Sequence, residues 1–202
     1  MTGPKTGGRS TYTSEKISLR GDALLGYCCA GEESVHITAK HLLSVKRFHP
    51  EDELRGQLLV AIRKAQQECK GTGLSFLDGH ILAVHKTLNG LRLWFAVVSE
   101  TPRVNCIQDK VIAGDFRNGA SFFAEMYFPK GKQLPTIEEL LPLATHSVLM
   151  AGRLNPGGIG GLEIVVFTGS KTHKLTDKEL EPLIGASKAL DAHIASALGP
   201  RQ

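Results

Sequence analysis

Aromatic residues are scarce, at 6% of 202, and there is a single Trp. Charge of one sign is not in excess: 24 Lys and Arg stand against 20 Asp and Glu, a formal net charge of +4, and the charges are dispersed along the chain. No basic block with interleaved aromatics occurs, so the sequence lacks the footprint of a nucleic-acid binder. No apolar run approaches the roughly 20 residues that a membrane-spanning helix needs, and the opening residues show no signal-peptide pattern. The expectation is a cytoplasmic protein with neither membrane nor nucleic-acid partners.

Cysteine is also sparse. Cys28, Cys29, Cys69 and Cys106 form no CxxC pair. Cys28 and Cys29 are adjacent in a strand pattern, so they point to opposite faces and suit neither one tetrahedral metal site nor a mutual disulfide. Reduced thiols are expected. His80 and His85 lie on opposite faces of one strand pattern. His36 and His41 miss the i, i+4 helical spacing, and His146 and His173 stand alone. No metal and no cofactor is expected. Ser147 lacks a GxSxG elbow. The glycines of Gly157-Gly158-Ile159-Gly160-Gly161 precede a strand instead of a helix, which excludes a phosphate loop. Asp22, Asp115 and Glu163 are too scattered for a carboxylate pair.

What the chain does have is glycine, 22 residues of it, and its densest stretch is Leu154 to Thr168, LNPGGIGGLEIVVFT. Asn-Pro and Gly-Gly are turn signals, and Leu162 to Thr168 reads as a buried strand. Residues 1–14 are rich in Gly, Thr and Ser and read as a flexible segment ahead of a single domain over 15–202. Two strands are expected around Arg20-Gly21-Asp22. A helix follows from Val35 to Val45, then a second from Pro50 to Cys69, closed by Lys70-Gly71-Thr72-Gly73.

Strands are expected at Leu74–Leu77, Gly79–Lys86, Leu91–Ser99 and Val104–Ala113, with Asn89-Gly90 as a hairpin turn. A short helix spans Ala120 to Phe128. Thr136-Ile137-Glu138-Glu139 and Thr176-Asp177-Lys178-Glu179 are capping-box patterns that open helices running to Gly152 and Ala197. Pro142 should kink the first of these. Strands grouped with strands and helices with helices point to an α+β fold.

This order, with these turns, resembles the proteasome-type N-terminal nucleophile hydrolases. The residues that carry the resemblance are Tyr27-Cys28-Cys29-Ala30-Gly31 at a strand end, Arg117-Asn118-Gly119 before a short helix, the Thr136 helix start, and Asn155-Pro156-Gly157-Gly158 before Leu162 to Phe167. From Gly119 to Thr168 the family pattern lies over the chain without a gap. The resemblance implies a four-layer α-β-β-α sandwich. It also implies an N-terminal Thr nucleophile, a Lys that lowers its pKa, a supporting Ser and Asp-x-x-Ser pair, and a backbone oxyanion hole.

Carried over residue by residue, Lys16 matches the family's lysine. Asn118 stands where the family has the Ser of a Gly-Ser-Gly turn. Asn155 and Gly158 stand where it has the Asp and Ser of Asp-x-x-Ser. Asn155 keeps a hydrogen-bonding side chain but holds no negative charge, and Gly158 supplies no hydroxyl. The family's nucleophile hairpin has no counterpart ahead of Lys16. Thr2 would have to reach it through a Gly- and Pro-containing loop, so no residue is assigned as nucleophile.

The expected protein is a proteasome-like subunit, non-catalytic or degenerate. It would assemble with copies of itself or related subunits, in a ring by family analogy. Two alternatives stay open at this point. One is an active threonine-type peptidase or amidase, acting on protein or peptide substrates, whose Thr hairpin lies outside this sequence. The other is an unrelated α+β binding domain.

Overall fold

A computed structural model describes residues 17–19, 25–31, 33–44, 54–76, 78–108, 110–113, 119–128, 135–155, 161–168 and 171–199. The fold is α+β, and the described elements divide into two compact units. One holds strands β1 (Ile17–Leu19), β2 (Leu25–Gly31), β3 (Gly79–Thr87), β4 (Gly90–Val98), β5 (Arg103–Ile107), β6 (Val165–Phe167) and β7 (Thr172–Lys174), with helices α1 (Glu33–Leu43) and α2 (Leu54–Thr72). The other holds helices α3 (Gly119–Tyr127), α4 (Ile137–Leu154) and α5 (Asp177–Ala197).

The first unit is built on a five-stranded antiparallel meander in the order β1-β2-β3-β4-β5. Successive strands pair because short turns join them, and α1 and α2 supply the one long excursion, between β2 and β3. The β3–β4 turn is the tightest. The sequence predicts Asn89-Gly90 at its centre, but the two-residue loop is Leu88-Asn89, and Gly90 already pairs with Thr87. Gly90 has φ +105°, a conformation that a side chain would strain. The Thr87 hydroxyl donates to the Gly90 carbonyl at 2.8 Å and accepts from the Asn89 N–H at 3.2 Å, which ties the loop to its flanks.

Period-two burial follows from one covered face. Ile81, Ala83 and His85 on β3, Trp94, Ala96 and Val98 on β4, and Val104 on β5 are buried. Leu82, Val84, Leu93, Phe95 and Val97, which alternate with them, are half-buried. The covering layer is α1 and α2. Leu54, Leu58, Ala61, Ile62, Ala65 and Cys69 recur at helical spacing on α2 and are all buried, while Arg55, Arg63, Lys64 and Glu68 on its other side are exposed. Val35, Ala39 and Leu42 of α1 join the same core. Full burial of each Leu or Ile contributes about 1.5–3 kcal/mol.

The His41 Nε2–Glu68 Oε2 contact of 2.8 Å links the two helices at their surface. Gly73 ends α2 with φ +73°, and the Leu74 N–H reaches back to the Cys69 carbonyl at 2.9 Å, which is the Schellman arrangement. Helix therefore continues through Lys70 to Thr72, where the sequence reading has a turn.

Three strand expectations need correction. Leu74 to Phe76 forms no strand, because it completes the helix cap. The strand expected over Val104–Ala113 is only β5, ending at Ile107. The strand expected over Leu162–Thr168 narrows to β6. It pairs with β7 in the register Val165–Lys174, Val166–His173 and Phe167–Thr172, and β7 was not foreseen. Cys28 and Cys29 register with Leu82 and Ile81. Among the described residues, Cys69 is buried and Cys106 half-buried, and no helix is long and apolar enough to cross a membrane.

Candidate functional site

The candidate site is built on the ends of two helices in the second unit. Helix α4 begins with the expected capping box. The Thr136 N–H donates to Glu139 Oε2 at 2.7 Å, and the Glu139 N–H returns a bond to the Thr136 hydroxyl at 3.3 Å. The helix runs past the expected Gly152 to Leu154. Asn155 is its C-cap, with φ −136° and ψ 67°, and the Asn155 N–H donates to the Ala151 carbonyl at 2.9 Å. Pro156 follows in the sequence and has no N–H with which to extend the helix. The Asn155 side chain is exposed.

Helix α3 starts at Gly119. A Cβ placed there would lie 3.3 Å from Leu154 Cδ1, so the start of α3 and the end of α4 are in contact. The next residue in the chain on one side is Asn155, and the previous one on the other is Asn118. Lys16, Asn118 and Gly158 themselves lie outside the described residues. At this junction the Leu154 side chain lies against the Gly119 backbone. Asn155 adds a neutral amide that both donates and accepts. It cannot balance a nearby ammonium as a carboxylate does.

A second constellation went unrecognised in the sequence. His146 of α4 is 2% exposed. Its Nδ1 lies 2.8 Å from Ser187 Oγ on α5, and its Nε2 lies 4.0 Å from Asp191 Oδ1. Phe123 of α3 packs on the imidazole with ring centroids 4.5 Å apart. Asp191 accepts from both terminal guanidinium nitrogens of Arg153, Nη1 and Nη2. Burial pulls the His146 pKa below its ordinary value, Asp191 opposes that shift and Arg153 adds to it.

Ser, His and Asp in sequence of contact suggest a hydrolytic relay, but the geometry argues otherwise. Ser187 is 5% exposed and sits well inside α5, where neighbouring N–H groups serve the helix and leave no oxyanion donors. The cluster is a polar tie between helices. Its sequence signal is only the i, i+4 spacing of Ser187 and Asp191, and nothing local joins them to His146, 41 positions away.

The remaining histidines are dispersed. His80 is half-buried and packs on Phe95 at 5.1 Å; burial lowers its pKa against the pull of Asp78. His85 is buried on the opposite face of β3, as the alternation predicts. Ser147 donates to the Leu143 carbonyl at 2.7 Å within its own helix.

In fold, the chain is similar to solved structures of Anbu. An Anbu Gly-1 mutant from Hyphomicrobium sp. strain MC1 matches with a TM-score of 0.66 at 12% identity, covering 94% of this chain and 85% of that one. Anbu from Yersinia bercovieri, described as an ancestral β-subunit, matches with a TM-score of 0.64 at 11% identity, covering 93% of this chain and 85% of its own. A further Hyphomicrobium Anbu structure matches with a TM-score of 0.61 at 13% identity, with 93% and 85% covered. No protein-family model and no curated protein matches the sequence. At these identities the likeness is one of fold.

Proposed function

We propose that the chain is a proteasome-like subunit with a degenerate site, acting as an assembly or binding module. The observation that carries this reading is the α3–α4 junction at Gly119 and Leu154. It lies beside Asn118 and Asn155, the two positions where the family resemblance calls for a serine and an aspartate. A neutral amide at Asn155 and a glycine at Gly158 lack the charge and the hydroxyl that the family resemblance calls for at those two positions. The likeness to Anbu supports the fold on which the reading rests.

In this reading residues 15–202 form one four-layer domain, residues 1–14 are a flexible lead, and the protein is cytoplasmic. It assembles with copies of itself or related subunits. Exposed apolar side chains on α3 support assembly: Phe122 and Met126 are each 68% exposed one helical turn apart, the kind of surface a partner covers.

The test pairs native mass measurement with hydrolysis of a peptide library by the same preparation. A multi-subunit assembly without hydrolysis is expected. A monomer would remove the assembly role. Hydrolysis traced to a covalent adduct on an N-terminal Thr would overturn the degenerate site in favour of an active threonine-type peptidase or amidase.

A further inference from the structure

Helix α5 outruns the helix it packs on. Its contacts with α4 advance together along both helices: Ser187 meets His146, and one turn further on Asp191 meets Arg153. Arg153 is the last residue but one of α4, which stops at Leu154. Helix α5 continues from Ala192 to Ala197, about 9 Å at 1.5 Å per residue. It is helical to its end. The Leu198 N–H donates to the Ile194 carbonyl at 3.0 Å, and Gly199, at φ +78°, turns the chain out of the helix. Upstream, α5 has an ordinary buried face, with Leu180 6% and Ser187 5% exposed. Every residue from Ala192 to Leu198 is exposed. At about 100° per residue these positions point in all directions around the axis.

This end has the wrong composition for water. From Ala192 to Gly199 there is no Asp, Glu, Lys or Arg, and His193 is the one titratable residue. A helix standing in solvent carries polar faces, and one without them is covered. Two turns without tertiary support are also too short to hold helix by themselves. The large apolar side chains recur every fourth residue: Leu190 is 39%, Ile194 41% and Leu198 82% exposed. Leu183, Ser187, Leu190 and Ile194 follow at steps of four, three and four, so the exposed row prolongs the face that α4 covers upstream. The row is also palindromic, Leu190-x-x-x-Ile194-x-x-x-Leu198. A two-fold contact pairs residue i with j and j with i, so a second copy laid antiparallel sets Ile194 on Ile194 and Leu190 on Leu198. Rows at i±4 on two helices interlock at a crossing angle of about −50°. Charged side chains near such an axis would meet their own kind. This segment has none, and Asp191 at its edge is held by Arg153. The lack of Lys and Arg argues against a lipid surface, which amphipathic helices engage with basic residues.

We propose that the end of α5 is a self-docking surface, on which the same segment of a second copy of this chain packs antiparallel about a two-fold axis at Ile194. The inference rests on the assembly reading and gives that assembly one specific contact. Burial of Leu190, Ile194 and Leu198 in both copies covers the row that α4 is too short to reach. An assembly built with this contact holds its subunits in pairs. The device is independent of whether the chain has peptidase activity.

The test uses the full chain, with sedimentation velocity over a concentration series. Ile194→Glu and Ile194→Lys should each weaken the pairing by at least about a hundredfold, because two like charges then meet at the axis. An equimolar mixture of the two should restore it, because opposite charges meet instead. Leu198→Glu, at an 82% exposed site that folding does not need, is a second disrupting variant. Ile194→Cys should cross-link to its own counterpart under mild oxidant, whereas Lys188→Cys, exposed on another face of α5, should not exceed the wild-type level. Wild-type assembly that survives I194E, I194K and L198E, with no I194C cross-link, would overturn the self-docking surface, give the row to a partner of another kind, and leave the assembly reading standing. A wild-type monomer at every concentration would overturn both. Pairing lost in I194E and I194K but not recovered on mixing would overturn the two-fold geometry.

Discussion

Ser187→Ala isolates what the buried tie between α4 and α5 is worth. The hydroxyl is the hydrogen-bond partner of His146 Nδ1 at 2.8 Å, with Ser187 5% and His146 2% exposed. Removing it strands a second ring nitrogen away from water. An unsatisfied buried polar group costs about 1–3 kcal/mol. Ala is a better helix former than Ser by roughly 0.5 kcal/mol, which offsets part of that. The expected net loss is about 1–2 kcal/mol, near a tenfold change in the folding equilibrium.

Urea unfolding followed by far-ultraviolet circular dichroism measures it. With a slope of about 1–3 kcal/mol/M, the midpoint should drop by roughly 0.3–2 M at unchanged slope. The control is the same substitution in a His146→Phe background, where no ring nitrogen is left to satisfy. There it should be neutral or slightly stabilising, so the coupling between the two sites should exceed about 1 kcal/mol. An unchanged or raised midpoint for Ser187→Ala alone would refute the argument, because it would mean that His146 is satisfied in some other way.

Three further outcomes are expected by the same assay. Leu58→Ala, at a site with no solvent exposure, should cost about 2–5 kcal/mol, while Val60→Ala, 51% exposed on the same helix, should stay within about 0.5 kcal/mol; equal effects would mean the α2 face is misassigned. Thr136→Ala removes the hydroxyl half of the α4 capping box and should cost about 1 kcal/mol, seen as a lower midpoint. Gly119→Ala needs Leu154 to move by a few tenths of an ångström; because Leu154 is 57% exposed it can yield, and the variant should gain about 0.4–1 kcal/mol. A loss of that size instead would show the α3–α4 junction to be rigid.

Local signals carried most of the element boundaries. The i, i+4, i+7 spacing of Leu54, Leu58 and Ala61, the capping box at Thr136 and the alternation through Ile81, Ala83 and His85 each encode one element within a few residues, because helix and strand periods are properties of the backbone itself. The misses arose where that locality ends. Thr172 to Lys174 is too short and polar to show a strand period, and it becomes β7 only because β6 offers it a ladder. The run from Leu74 to Phe76 has strand-like residues, but the left-handed Gly73 cap claims its backbone.

The candidate site divides in the same way. Lys16, Asn118, Asn155 and Gly158 were named from linear motifs. Of these, Asn155 alone lies within the described structure, as the cap of α4. The contact of Gly119 with Leu154 joins residues 35 positions apart, and no local pattern announces it. His146 illustrates the limit most clearly. The sequence by itself determined that a histidine lies on α4 and that Ser187 and Asp191 share one face of α5, since helical periodicity requires it. Only tertiary structure decided that these faces meet, because burial, hydrogen bonding and charge balance belong to the packed pair of helices and not to either one alone.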